Sequence, residues 1–166
     1  MGFYSGGRLK DLSRLTWGAW DREKQTLTFT QKKTGGVVLV PVHRELANYL
    51  ERLPSGVGKA PILPTLASKS GTGRSGLSMA FRNIMLAAGI EPGIARERSG
   101  KAGHSVSKLS FHSLRHSFTS ELAKSGVPPE IRQKLTGHAD LGTHKTYTHL
   151  EVATFQRAIA ALPSLP

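Results

Sequence analysis

The residues best equipped for chemistry crowd into the second half of the chain. His112-Ser113-Leu114-Arg115-His116 is followed by Thr136-Gly137-His138 and then by Lys145-Thr146-Tyr147-Thr148-His149. Arginine offers a planar, permanently charged fork that matches two oxygens of a phosphate. Imidazoles move protons near neutral pH, and a phenol becomes a nucleophile once its proton is taken. Such a set can hold a phosphodiester, manage the protons around it and attack it. Two positions of the first half extend it: Arg8 in Ser5-Gly6-Gly7-Arg8, and Lys33 in Lys32-Lys33-Thr34-Gly35-Gly36.

Each of these residues also has a plainer use. His112, Arg115 and His116 stand at i, i+3 and i+4, so a helix places them on one face. Phe111, Leu114, Phe118 and Leu122 fall on another face and anchor that helix, with Arg115 at the border and so held stiffly. Taken alone, this equally describes a surface arginine between a capping and a core histidine. His112 and His116 have the spacing of a zinc pair. No Glu follows the first of them, the chain has no cysteine, and only His138, His144, His149, Asp140 and Glu151 are near enough in sequence to complete a site. Metal is therefore disfavoured.

Among the tyrosines, Tyr49 falls on the apolar face of its helix and reads as core, and Tyr4 sits at the very start. Tyr147 has polar neighbours that leave its hydroxyl reachable. An ordinary phenol titrates near about 10, so arginines and a histidine base would be needed to activate it. Lys32 and Lys33 sit at the hairpin tip, where a lysine can protonate a leaving 5′-oxygen or simply face solvent. Ser5-Gly6-Gly7-Arg8 is a poor phosphate loop, since no Lys-Ser/Thr follows. Arg8 at a helix start would instead set its own charge against a phosphate, with Asp11 orienting it or forming a plain ion pair.

The elements that must position these groups are legible in outline. Leu9, Leu12 and Leu15 predict an amphipathic helical segment. The β-branched runs 26–31 and 37–42 flank the Lys-Lys-Thr-Gly-Gly turn as a β-hairpin, and Pro41 marks its exit. Helices are predicted over 43–53, stopped by Pro54, and over 77–88, with Met79 or Ala80, Ile84 and Ala87 inward and Gly89 after it. Further helices are predicted over 111–125, over 129–135 opened by Pro128 and Pro129, over 143–149 and over 152–162. The stretches 54–75 and 90–109 read as long loops. The fold class is α+β: mostly α-helical, with one small antiparallel sheet built on the hairpin around residues 26–42.

At 166 residues the chain suits a single domain with a real core. Its net charge of +12 comes from scattered basic residues rather than a tail, which points to a folded surface for nucleic acid. The absence of cysteine excludes disulfides and suits a reducing compartment. Apolar runs are too short for a membrane span, so no membrane partner is expected.

Taken together, these residues resemble the catalytic domain of the tyrosine recombinase, or phage integrase, family. Ser5-Gly6-Gly7-Arg8-Leu9-Lys10-Asp11-Leu12 is similar to that family's first arginine box, with Asp11 where Glu is usual. Lys33 before Thr34-Gly35 matches its hairpin lysine. His112-x-Leu114-Arg115-His116 matches the second box, Gly137-His138 the third, and Tyr147 the nucleophile nine residues on. The resemblance covers essentially the whole chain, and its strength lies in six positions recurring in order. His144, in a stretch that often reads Thr-Thr, departs from the pattern.

The resemblance implies a recombinase, from a mobile element, that cleaves and rejoins DNA through a 3′-phosphotyrosine without metal, ATP or cofactor. Its catalytic residues would be Arg8, Lys33, His112, Arg115, His138 and Tyr147, with Asp11 and His116 in support. Arg8 and Arg115 would clamp the scissile phosphate and His138 add a hydrogen bond. Lys33 would serve as general acid, and His112 would assist proton transfer at Tyr147. The implied partner is double-stranded DNA, with self-association on DNA into a tetrameric synapse in the full-length family and a monomer for the isolated domain. Residues 1–166 would form one catalytic domain, a fragment lacking the family's N-terminal DNA-binding domain, and the helix over 152–162 resembles the tail used to contact a neighbouring subunit. A cytoplasmic, bacterial or phage-encoded protein at the nucleoid is implied. The alternatives are a type IB topoisomerase-like enzyme, a DNA-binding module with degenerate boxes, and a histidine-metal phosphodiesterase.

Overall fold

The computed structural model describes residues 1–69, 76–96, 106–137 and 149–165. In chain order the elements are α1 (Gly2–Ser5), α2 (Leu9–Leu12), a 3₁₀ turn (Trp17–Ala19), β1 (Trp20–Asp21), β2 (Thr26–Thr30), β3 (Val37–Pro41), α3 (Arg44–Arg52) and α4 (Pro64–Ala67). They continue with α5 (Leu77–Ala87), β4 (Ile94–Arg96), β5 (Val106–Ser107), α6 (Phe111–Lys124), α7 (Pro129–Thr136) and α8 (His149–Ala160). Helices outweigh strands, and the main sheet is antiparallel in the order β1-β2-β3. The expected fold class is what the structure shows. Among the described residues no helix is long and apolar enough to cross a membrane.

The hairpin follows from alternation. Leu27 and Phe29 of β2 are buried while Thr28 and Thr30 face out. In register they meet Val40 and Val38 of β3, both 1% exposed, on the same face. Cross-strand apolar pairs of this kind set the register, because a one-residue slip would turn every one of them to solvent. Against that face lie Leu46 and Leu50 of α3, Phe118 and Leu122 of α6, Leu135 of α7, and Phe155 and Ile159 of α8. The helix expected at the C-terminal end thus places its apolar side in the core of its own chain, packed on β3.

Several sequence expectations need correction. The inward side of α5 is Leu77 and Met85, not Met79, Ile84 and Ala87, all of which are exposed. Apolar residues surround that helix, so its periodicity does not single out one face. Tyr49 is 46% exposed on α3 rather than core. The apolar stripe of α3 is Leu46, Ala47 and Leu50, and Tyr49 falls just beyond its edge. The stretch 90–109 is not loop throughout, since β4 and β5 pair antiparallel with an irregularity between Ile94 and Arg96. Strands of three and two residues are too short to show an alternation. Within 54–75, Pro64 opens α4, and Ile62 N–H donates to Leu15 O at 2.8 Å, stitching the connection to the segment after α2. The helix from Leu9 stops at Leu12, although Leu12 and Leu15 are both buried as expected. The helix expected over 143–149 lies outside the described residues apart from His149, the first residue of α8.

The two ends of the chain are fastened to each other. The Tyr4 hydroxyl donates to Pro163 O at 3.2 Å and accepts from Leu165 N–H at 3.0 Å. Tyr4 stacks on His43, with ring centres 4.5 Å apart and planes within 6°. The buried His43 caps α3 by accepting Glu45 N–H on Nδ1 at 3.2 Å, and it is also hydrogen-bonded to the Leu162 backbone. Capping through Nδ1 requires the neutral ring. Burial, the largest influence, pushes the His43 pKa below its ordinary 6.5. The folded state therefore binds this proton less readily than the unfolded chain. Its stabilising contribution is complete above 6.5 and is lost as pH falls below that value. Melting followed between about pH 7.5 and 5.5 is expected to drop by a few degrees, and His43→Asn, with a lower starting midpoint, to show a flatter profile.

Candidate active site

Where α1 and α6 pack together, Arg8 and Arg115 lie close enough for the charge of one to lower the pKa of the other. Gly6 takes φ +58° at the end of α1, and a Cβ there would lie 2.5 Å from the Phe118 ring. Only glycine allows both the left-handed turn and that approach. The approach brings the Gly6 carbonyl to Arg115, whose Nη1 donates to it at 2.6 Å. Arg115 Nη2 donates to Thr136 O at 2.7 Å, where α7 ends. Arg115 is 5% exposed, so it is neither a surface arginine nor a loose one. It bolts together the turn before Arg8, its own helix, and the turn before His138.

Local chemistry explains why α6 and α7 start and stop where they do. Ser110 and Ser113 form a reciprocal capping box at the start of α6, and Pro129 occupies the first turn of α7. Gly137 closes α7 at φ +69°.

Arg8 stands at the N-terminal boundary of α2 in extended conformation. Its Nη1 is buried and finds no hydrogen-bond partner among the described residues. The Asp11 carboxylate does not answer it. Asp11 Oδ1 accepts Lys32 N–H at 3.1 Å, and Oδ2 is buried without a partner. Neither an orienting bond nor an ion pair joins Asp11 to Arg8 among the described residues; its observed work is to hold the hairpin turn.

Burial first, and then the charge of Arg8, lower the Arg115 pKa to about 10, with Asp11 acting the other way. The guanidinium therefore remains charged at neutral pH. Two like charges brought together at partial burial make a strong attractor for an anion.

His112 and His116 are both exposed, so neither serves as the core histidine of the plainer reading. Their rings meet edge to face at 4.6 Å. Desolvation, followed by the charges of His116, Arg115 and Arg8, holds His112 below its ordinary pKa and favours the neutral ring. Lys32 and Lys33 are exposed at the hairpin turn. The structure thus gathers Arg8, Asp11, His112 and Arg115, with the Lys33 turn tied in through Asp11. His138 and Tyr147 lie outside the described residues. Among the described residues no group of three or more His, Asp or Glu is placed to hold a metal, and Glu151 pairs with Lys134 at 2.8 Å.

Thr136, which the sequence offered only as part of a motif, and Gln31, which it did not single out, organise this region. The Thr136 carbonyl accepts from both Arg115 and Gln31, the latter at 2.9 Å. A signal for Gln31 was present: it continues the inward phase of Leu27 and Phe29, where a polar side chain needs a partner.

A helical domain with a small antiparallel sheet is a fold shared with an integrase and a recombinase of known structure. The integrase from mycobacterium phage Brujita superposes with a TM-score of 0.63 at 17% identity, covering 98% of this chain and 49% of that one. XerA recombinase gives 0.54 at 18% identity over 93% of this chain and 48% of its own. In sequence, residues 2–154 match the Phage integrase family, and the chain belongs to that family. Tyrosine recombinase XerC of Xylella fastidiosa strain 9a5c is 32% identical over 150 residues, 90% of this chain and 46% of the relative. Tyrosine recombinase XerD of Neisseria meningitidis serogroup B is 27% identical over 148 residues, 89% of this chain and 47% of its own length. The chain spans about half the length of these curated relatives.

Proposed function

We propose that this chain is the catalytic domain of a site-specific DNA recombinase or integrase, cleaving and rejoining strands through a 3′-phosphotyrosine. The observation that carries the reading is the buried Nη1 of Arg8, without a partner among the described residues, near the backbone-anchored Arg115. A buried N–H without an acceptor is costly, and a phosphate oxygen is an acceptor of matching charge.

In this reading Arg8 and Arg115 hold the scissile phosphate and stabilise the charge that builds on it in the transition state. Tyr147 attacks phosphorus while neutral His112 assists removal of its proton. Lys33 gives a proton to the departing 5′-oxygen, and His138 adds a hydrogen bond to the phosphate. The P–O bond to the 5′-oxygen breaks as the bond to the Tyr147 oxygen forms. A 5′-hydroxyl reverses the exchange, so the ester conserves the bond energy and no ATP enters. Duplex DNA is the partner, in keeping with the net charge of +12. Self-association on DNA and a place in the cytoplasm at the nucleoid belong to the same reading. Structural relatives include a lambda integrase dimer bound to a core site, with a TM-score of 0.54 at 18% identity.

The test is covalent capture on a library of nicked duplexes with randomised sequence, followed by peptide mapping of the adduct. The expected adduct is on the peptide containing Tyr147. Attachment at Tyr49 would overturn the choice of nucleophile, and DNA binding without any adduct would leave a binding module.

One pH effect follows. His112 is useful when neutral, and its pKa lies below 6.5. The rate of adduct formation should therefore hold as pH drops to 6.5 and decline only below it, a limb that His112→Gln removes.

A further inference from the structure

We propose that Gln31 is a positioning residue that sets the reach of Lys33 by locking the hairpin turn to the end of α7. The proposal rests on the phosphotyrosine reading of the site and adds a residue to it.

Lys33 is exposed, and among the described residues no hydrogen bond or ion pair holds its ammonium group. Its placement must then come from the backbone of the turn. That turn is gathered onto Gln31, which is 0% exposed. Gln31 N–H donates to Gly36 O, and Gln31 O accepts from Gly35 N–H, both at 2.8 Å. Its Oε1 accepts from the Thr34 hydroxyl at 3.0 Å, and its Nε2 donates to Thr136 O at 2.9 Å. One side chain thus grips the loop from within and ties it to the carbonyl that also receives Arg115.

The fit is built. A Cβ on Gly137 would lie 2.4 Å from Gln31 Nε2 and 2.6 Å from Val38, so glycine there is what admits the contact. On the other side of the turn Asp11 holds Lys32 N–H. A core leucine at position 31 would continue the apolar face of β2 and keep the backbone bonds to Gly35 and Gly36, but make neither side-chain bond, to Thr34 or to Thr136. The polar choice costs desolvation unless its amide is satisfied, and here it is satisfied by the two elements that flank Lys33 and precede His138.

If Gln31 positions the general acid, its loss should matter only when the leaving group needs a proton. The experiment measures single-turnover cleavage of a duplex carrying either the normal bridging 5′-oxygen or a bridging 5′-sulfur at the scissile phosphate. Sulfur departs as a thiolate, whose thiol titrates near about 8.5, and needs no general acid. Gln31→Met, of similar volume without the amide, is expected to slow the oxygen substrate by roughly tenfold to a hundredfold, the scale of a misplaced catalytic group. On the sulfur substrate the loss should shrink to within about twofold, as for Lys33→Ala, with DNA affinity unchanged.

Equal losses on both substrates, or no loss on either, would overturn the assignment. Thr34→Val releases the turn without touching Thr136. It must show the same sulfur rescue, and it decides the matter should Gln31→Met fail to fold. A wild-type chain that forms no tyrosine adduct with either substrate would instead remove the phosphotyrosine reading, and the role of Gln31 with it.

Discussion

Arg115→Met should lose about a thousandfold in adduct formation and, at the same time, roughly 3 kcal/mol of folding stability. Few active-site substitutions are expected to do both. The catalytic part is the usual scale for removing a preorganised donor from a developing oxyanion. The stability part comes from what the guanidinium does without substrate: it donates to Gly6 O at 2.6 Å and to Thr136 O at 2.7 Å. Hydrogen bonds from a charged donor contribute about 1.5–3 kcal/mol each, partly offset by no longer burying a charge. Thr136 O keeps Gln31 as a donor, so the Gly6 carbonyl bears most of the loss. For a chain of this size the midpoint of melting should fall by roughly 6–12 °C. Arg115→Lys keeps a charge without the fork, cannot serve both carbonyls, and should lie between wild type and methionine in stability. Thermal melts read beside single-turnover cleavage, measured well below both midpoints, separate the two effects. An unchanged midpoint would mean that Arg115 does not bolt the three segments together.

How far the sequence reveals this arrangement depends on how local the determining physics is. The hairpin over 26–42 is legible because Leu27, Phe29, Val38 and Val40 alternate on one face and a glycine-rich turn joins them. The α6 positions Phe118 and Leu122 are legible for the same reason at helical period. Arg115 reads correctly as stiffly held at the border of that stripe. Its two carbonyl partners are 109 and 21 residues away, a separation that no spacing rule reaches.

Asp11 shows the opposite failure. One helical turn after Arg8, it invites an ion pair, yet the hairpin brings Lys32 N–H to it across a gap of 21 residues. The inward face of α5 is not legible because that helix is apolar nearly all round, and the β4–β5 pair is not because its strands are shorter than one full alternation. Gln31 is the instructive case. A lone polar side chain at an inward strand position carries a message about partners, although it does not say which.

Arg8→Met is expected to separate the two arginines, because its effect on folding should have the opposite sign. Adduct formation should fall by roughly a hundredfold to a thousandfold, as for any lost donor at the phosphate. Stability should be unchanged, or rise by up to about 1 kcal/mol, since the substitution removes a buried guanidinium nitrogen with no acceptor among the described residues and a like charge near Arg115. The same logic gives a test that needs no DNA. A ligand that binds only the folded state raises its stability by mass action, so sulfate should lift the wild-type melting midpoint as its concentration rises. At matched ionic strength with chloride, that lift should vanish in Arg8→Met. If Arg8→Met instead melts as early as Arg115→Met, Arg8 is a structural bolt too. The buried Nη1 would then no longer point to a waiting phosphate, and the strongest support for the cleavage mechanism would be gone.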